Sequence, residues 1–295
     1  MTHSRAQVYL RSPTNTKIAL SPATSFAKQY FARIEVVLLL LPPSEGKTAP
    51  NSGKPLNWDE LSYPQLNPLR QKIAIVLAEV SQRADALDVL KVGASVEEIV
   101  RAQEKLTQLP CAPARNVYTG VLYHALDWLD MPADRRRFAQ NHVLIFSALF
   151  GVLRPDDPIP HYRLSMGTTL PKIGNTKTAW RKELKDFEPG AHKLVIDCRS
   201  GNYQVWNPQH DADYVTIHAV RQSGERRQVI SHDAKRFRGM LGKYLLSSKT
   251  TLRTAHELEE YAQVLVTDGI VDAIELTAES HNKYKITLVE HDDAR

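Results

Sequence analysis

The stretch Val36-Val37-Leu38-Leu39-Leu40-Leu41, followed at once by Pro42-Pro43-Ser44-Glu45-Gly46-Lys47-Thr48, decides how the rest of the chain is read. A run of β-branched and Leu residues with no polar interruption reads as a buried strand, and the two prolines end it because they cannot continue its ladder. Gly-Lys-Thr straight after a strand is also what a phosphate loop uses, since backbone N–H groups and the Lys can surround phosphate oxygens. The full pattern needs a second Gly five positions before Gly46, where Leu41 stands, and the prolines remove donors from the loop. The expectation is therefore an anion held by Lys47 and Thr48 without a true phosphate loop. Ser44 to Lys47 also spells Ser-x-x-Lys, but Gly46 within that turn and the lack of partner motifs speak against an acyl-transfer serine.

Upstream of this strand the chain changes character. The first 34 residues carry no carboxylate and are rich in Ser, Thr and Ala. That composition resembles an organelle transit peptide and equally a translated upstream stretch; the second reading is preferred, because no hydrophobic periodicity would join residues 1–36 to a core. They are expected to form a poorly ordered extension, with the domain proper at 37–295.

Charge follows the same division. The 295 residues hold 38 Lys plus Arg against 33 Asp plus Glu, a formal +5. Residues 1–36 contribute +4 of it, leaving +1 for the rest; within that rest, 221–253 is locally +7 and 254–295 is −7. A nucleic-acid reading must rest on the basic segment and not on the total. Apolar residues at 42% exclude wholesale disorder. Two cysteines, Cys111 and Cys198, make no disulfide framework and point to a reducing compartment. No apolar run is long enough to cross a bilayer, so no membrane partner is expected. None of the eleven His or two Cys falls into a metal-ligand spacing, and no metal or cofactor is expected.

Downstream, helical spacing appears at 68–80, 85–91, 96–107, 117–130, 133–140, 234–248 and 254–265. Strand patterns appear at 142–150, 193–197, 214–221, 227–230, 271–277 and 284–290. This mixture, without a repeat or an internal linker, predicts a single α+β domain with a helical subdomain around 60–140. Between the helices at 85–91 and 96–107, Ser95 with Glu98 reads as a capping box. Amides in such a hairpin can also bind a DNA phosphate, although Glu97 and Glu98 would repel it.

Two further segments carry candidate chemistry. On the helix at 234–248, Phe237, Met240, Leu241, Tyr244 and Leu245 form a core face, and Lys235, Arg236, Arg238 and Lys243 lie opposite. Gly239 and Gly242 interrupt that basic face, which calls either for close approach of an anionic ligand or for close packing of another segment. The block Gly151 to Gly167 is a loop of fixed shape, punctuated by Pro and Gly, that places Arg154, His161, Tyr162 and Arg163 together at a strand end.

Taken in order, Pro43-Ser44-Glu45-Gly46-Lys47-Thr48, Val117-Tyr118-Thr119-Gly120, Leu149-Phe150-Gly151-Val152-Leu153-Arg154-Pro155, Tyr162-Arg163-Leu164-Ser165-Met166-Gly167 and Ala234-Lys235-Arg236-Phe237-Arg238-Gly239 resemble the YaaA peroxide-stress protein family over roughly 37–290. The resemblance implies an α+β domain with a central sheet, surrounding helices and a helix-hairpin-helix-like element at Leu90–Glu98. It implies a cytosolic oxidative-stress protein that binds duplex DNA non-specifically through a basic cleft and indirectly limits free iron. The cleft would be lined by Lys47, Tyr118, Arg154, Tyr162, Arg163, Lys235, Arg236 and Arg238, with Thr48, Lys91 and Lys243 as further anion contacts. An enzyme acting on a nucleotide or other phosphorylated small molecule at the same residues is the alternative, and a scaffold whose −7 segment pairs with its own +7 segment is the third reading.

Overall fold

The computed structural model describes residues 35–209, 211–248 and 251–292. The expected extension at 1–36 lies outside them except for its last two residues. Twelve strands are found in chain order among the described residues: β1 (Glu35–Leu41), β2 (Cys111–Pro113), β3 (Val143–Ser147), β4 (Gly151–Leu153), β5 (Pro158–Pro160), β6 (Thr169–Leu170), β7 (Gly174–Asn175), β8 (His192–Asp197), β9 (Asp213–Ser223), β10 (Arg226–Val229), β11 (Ala273–Ser280) and β12 (Lys283–His291). The helices are α1 (Asn67–Ser81), α2 (Ala86–Leu90), α3 (Glu97–Ala102), α4 (Ala114–Val117), α5 (Val121–Leu126), α6 (Ala133–His142), α7 (Thr176–Glu183), α8 (His232–Ser247), α9 (Ala255–Ala262) and α10 (Val264–Thr267).

One sheet organises the molecule, in the order β11-β12-β9-β8-β1-β3-β4, with β10 paired to β9. Its middle is parallel: β1 pairs with β3 and β8, β8 with β9, and β9 with β12. The outer strands β4, β10 and β11 pair antiparallel. Leu38 to Leu41 are all buried, as a parallel strand covered on both faces requires. The expected α+β domain with a central sheet flanked by helices is therefore present. None of its described helices is long and apolar enough to cross a membrane.

The chain leaves β1 for β3 on one side and returns to β8 on the other. Loops that leave β1 and β8 at their carboxyl ends therefore diverge, which opens a crevice there of the kind where α/β sheets hold ligands.

Several expected helices have different boundaries. The segment 96–107 is a 3-10 turn at Ala94–Val96, the short helix α3 and a second 3-10 stretch at Gln103–Gln108. The Ser95–Glu98 capping box does not form. The Val96 amide donates to the Gly93 carbonyl at 3.3 Å, so helical winding starts before Ser95 can stand at an N-cap. The helix-hairpin-helix-like element expected at Leu90–Glu98 is accordingly not confirmed. A capping box does form at Thr254 and Glu257, heading α9.

The helix expected at 117–130 is also interrupted. Tyr118-Thr119-Gly120 is extended between α4 and α5, because Gly120 has φ +111 and packs on Ser44. A Cβ at Gly120 would lie 2.6 Å from Ser44 Oγ, so only Gly permits this crossing.

The two glycines of α8 serve packing. A Cβ at Gly239 would meet the Leu122 carbonyl oxygen at 2.3 Å, and one at Gly242 would meet Leu126 Cδ1 at 2.7 Å. Helix α5 lies along that groove, so the close approach is protein against protein and no anion occupies it.

Candidate functional site

Directly after β1, the chain lies against the extended link before α5. Lys47 and Tyr118 form an antiparallel bridge, Thr48 N donates to Val117 O at 2.9 Å, and Thr119 N donates to Gly46 O at 3.1 Å. Tyr123 on α5 adds an O–H bond to the Pro42 carbonyl at 2.6 Å. No helix follows Gly46-Lys47-Thr48, so this is not a phosphate loop. Nor does Lys47 activate Ser44: its amine donates to the Ser44 backbone carbonyl at 2.6 Å, not to the hydroxyl.

The half-buried Lys47 ammonium lies over two tyrosine rings, 4.5 Å from the Tyr162 centroid and 5.6 Å from that of Tyr118. Burial and the neighbouring Arg163 guanidinium press its pKa from the usual lysine range to about 7, against the pull of Glu45. Arg163 comes from the loop after β5. It donates from Nη1 to the Glu45 carbonyl at 3.2 Å and from Nη2 to the Glu45 carboxylate at 3.4 Å. The Glu45 side chain is 73% exposed, so this pair is loose. Arg163 Nε is buried with no partner among the described residues. His161 is held below its ordinary pKa by partial burial and by Lys47.

Beneath this surface runs a hydroxyl chain. Ser147, at the end of β3, accepts from the amides of Leu149 and Phe150 at 3.2 and 3.0 Å. With its acceptor sites so used, its O–H donates to Tyr162 at 2.8 Å, and Tyr162 in turn donates to Tyr118 at 2.8 Å. The polarity leaves the Tyr118 proton as the free end of the chain. Burial keeps both phenols protonated, raising their pKa values well above the ordinary range.

The frame below is buried and hydrogen-bonded. At the end of β8, Asp197 and Arg199 are fully buried and paired, with Nη2 to Oδ2 at 2.8 Å. The Tyr214 hydroxyl donates to the same carboxylate, and Arg199 also donates to the Trp206 carbonyl at 2.7 Å. Buried Arg70 donates to the carbonyls of Phe150 and Val152 at 2.8 and 2.6 Å, which fixes the turn from β3 to β4. Sequence reading missed Ser147, Arg70 and Arg199. Only Ser147 carried a signal, as the one polar residue ending an apolar strand.

The structure gathers Lys47, Thr48, Tyr118, Tyr162 and Arg163, together with His161. Arg154 is elsewhere engaged: it donates to the carbonyls of Gln140 and Asn141 at 3.3 and 2.5 Å and lies 5.5 Å over the Tyr63 ring. Lys91 caps α2 in a left-handed conformation with its side chain exposed. On α8, Arg238 donates to the Ile217 carbonyl at 2.6 Å, Lys243 pairs with Asp127 at 2.8 Å, and Arg236 lies 4.6 Å over the ring of its neighbour Phe237. Lys235 is exposed. The basic segment also meets the acidic one: Arg221 binds Glu290 at 2.8 Å and Arg227 binds Glu275 at 2.6 Å.

Sheet order and loop chemistry define a mixed α/β protein whose polar site stands at the carboxyl ends of parallel strands. Comparison with known proteins narrows this further. Residues 37–264 match the family model described as peroxide stress protein YaaA, and the chain belongs to that family. A UPF0246 protein of Corynebacterium glutamicum strain R is 37% identical over 256 residues, covering 85% of this chain and 98% of the relative. A UPF0246 protein of Corynebacterium efficiens is 40% identical over 233 residues, 77% of this chain and 92% of its own length. A third, from Streptomyces coelicolor, is 35% identical over 229 residues, 76% and 88% respectively.

Proposed function

We propose that the chain serves the peroxide-stress response by binding a phosphate-bearing ligand at Lys47 and Arg163, and that a compact ligand fits this site better than a duplex does. One observation carries the reading: Arg163, beside Lys47 at the sheet crevice, has as its ion-pair partner only the exposed Glu45 carboxylate, at 3.4 Å. An incoming phosphate can replace that carboxylate on the guanidinium and bring charge-assisted hydrogen bonds with it. A nucleotide or another phosphorylated small molecule has the matching chemistry.

Duplex DNA is the second reading, favoured by the exposed Lys235 on α8 and by the resemblance. Against a broad basic groove stand the internal partners of Arg221, Arg227 and Lys243. The iron effect is proposed as indirect, a consequence of what the ligand does. Two titrations separate the readings. Stabilisation by a member of a nucleotide panel, lost in Arg163→Gln, supports the compact ligand. Duplex binding that falls steeply between 50 and 300 mM salt supports DNA, and a duplex affinity that ignores salt overturns it.

A further inference from the structure

We propose that Lys47 is a nucleophile that forms an imine with an anionic carbonyl compound, such as a phosphorylated aldehyde or ketone, whose anionic group is taken by Arg163. The inference rests on the phosphate-site reading above and names the substrate class within it.

The surroundings of Lys47 are those that make an amine reactive. A lysine becomes a nucleophile when it is desolvated or placed beside another cation, because both favour the neutral amine with its free electron pair. Lys47 has both. Tyr118 and Tyr162 cover it with ring faces, and Arg163 is its neighbouring cation. Among the described residues no carboxylate stands within ion-pair distance of it, because the one nearby acid, Glu45, reaches Arg163 instead. Its recorded hydrogen bond runs to the Ser44 carbonyl, an acceptor that an uncharged amine can keep while its lone pair points elsewhere. The ring faces favour the ammonium, and Glu45 does so too. Burial and Arg163 oppose them and prevail, bringing the pKa to about 7.

The chemistry balances without an external oxidant or reductant. The Lys47 nitrogen bonds to the carbonyl carbon, the carbon–oxygen bond breaks, and the oxygen leaves as water carrying the two amine protons. The titratable neighbours are His161, which feels the Lys47 charge and is kept below its ordinary pKa, and the Tyr118 and Tyr162 phenols, which burial keeps protonated. The charged and titratable groups facing Lys47 are thus Glu45 on its own loop, Tyr118 before α5, and His161, Tyr162 and Arg163 on the loop after β5.

The test is reductive trapping on the full-length chain. Glyceraldehyde 3-phosphate is added with cyanoborohydride at pH 6.0, 7.5 and 9.0, and each lysine's adduct is quantified by peptide mass mapping. The expected result is a Lys47 adduct at least tenfold above exposed Lys235 at pH 7.5, a ratio that Arg163→Gln lowers several-fold. Equal labelling of Lys47 and Lys235, or none at Lys47, overturns the inference. Lys47→Arg supplies the blank, and the Arg163→Gln series keeps the test informative should Lys47→Arg fail to fold. A parallel thermal-shift titration with inorganic phosphate keeps the two readings apart. Stabilisation by phosphate without a Lys47 adduct overturns the imine and leaves the phosphate site standing; a Lys47 adduct without stabilisation supports the imine and removes the phosphate site; failure of both removes both.

Discussion

The loop after β1 and the helix α8 present the same residue types to the sequence reader, Lys and Arg near glycine, yet the protein uses them in different ways. On α8 the glycines admit α5, and Arg238 and Lys243 are tied to the Ile217 carbonyl and to Asp127. After β1, Lys47 has two tyrosine rings and a carbonyl, and Arg163 has the Glu45 carbonyl and one exposed carboxylate that a ligand can replace. A cation with a built partner is architecture; a cation held beside another cation with few partners is available for chemistry. Position at the sheet crevice decides between the two.

The largest expected effect tests the frame under the loop site. Asp197→Asn removes one half of the buried pair and leaves Arg199 charged among apolar neighbours, so urea denaturation should show a loss of about 3–5 kcal/mol. A loss below 1 kcal/mol would mean the site does not stand on this pair. Next comes the architectural role of α8. Gly239→Ala drives a methyl group into the Leu122 carbonyl and should lower stability by about 1–3 kcal/mol, whereas Gly93→Ala, with nothing within 4 Å, should change it little. Equal effects at both positions would break the contrast between a packing glycine and a free one.

The third prediction concerns Lys47 and pH. Its folded-state pKa is depressed, so between about 7 and the unfolded value the unfolded chain binds more protons, and stability should rise with pH. The penalty is fully present below pH 7 and fades toward pH 10. Measured as the difference from Lys47→Met, the wild type should gain on the order of 1–3 kcal/mol across that window. A flat difference would show that Lys47 is as solvated as any α8 lysine. The smallest effect lies on the basic segment: Glu275→Gln should cost under about 1 kcal/mol, because the Arg227 pair is exposed. If the same substitution strengthens duplex binding at low salt, the segment is a masked phosphate surface and the contrast with the β1 loop narrows.

Much of the architecture was legible before the fold. The run at 36–41 is β1 and the pattern at 193–197 is β8; on α8 Phe237 and Leu241 of the expected core face are buried, whereas Met240, Tyr244 and Leu245 are half-buried and Gly239 and Gly242 of the expected basic face are buried. Periodicity reports burial directly, because an element hides whichever stripe is apolar. Boundaries failed where long-range contact overrode local preference. Residues 117–130 have helical spacing, but Tyr118 to Gly120 are drawn straight by pairing with Gly46 to Thr48, some seventy positions earlier. The capping box at Ser95 failed for a local reason, a 3-10 turn that starts one residue too soon.

The candidate site divides in the same manner. By itself the sequence determined which residues could hold an anion and that Lys47 follows a strand end. Only the tertiary structure decided which of those cations remain available. Ser147, Tyr118 and Tyr162 come from three separate segments, and nothing in any one of them reveals a shared hydroxyl chain. Nor could local sequence show that Glu275 and Glu290 would neutralise Arg227 and Arg221 across strands distant in the chain. Charge is written in residue types, but its availability depends on burial and on partners, and both are set when the sheet brings distant segments together.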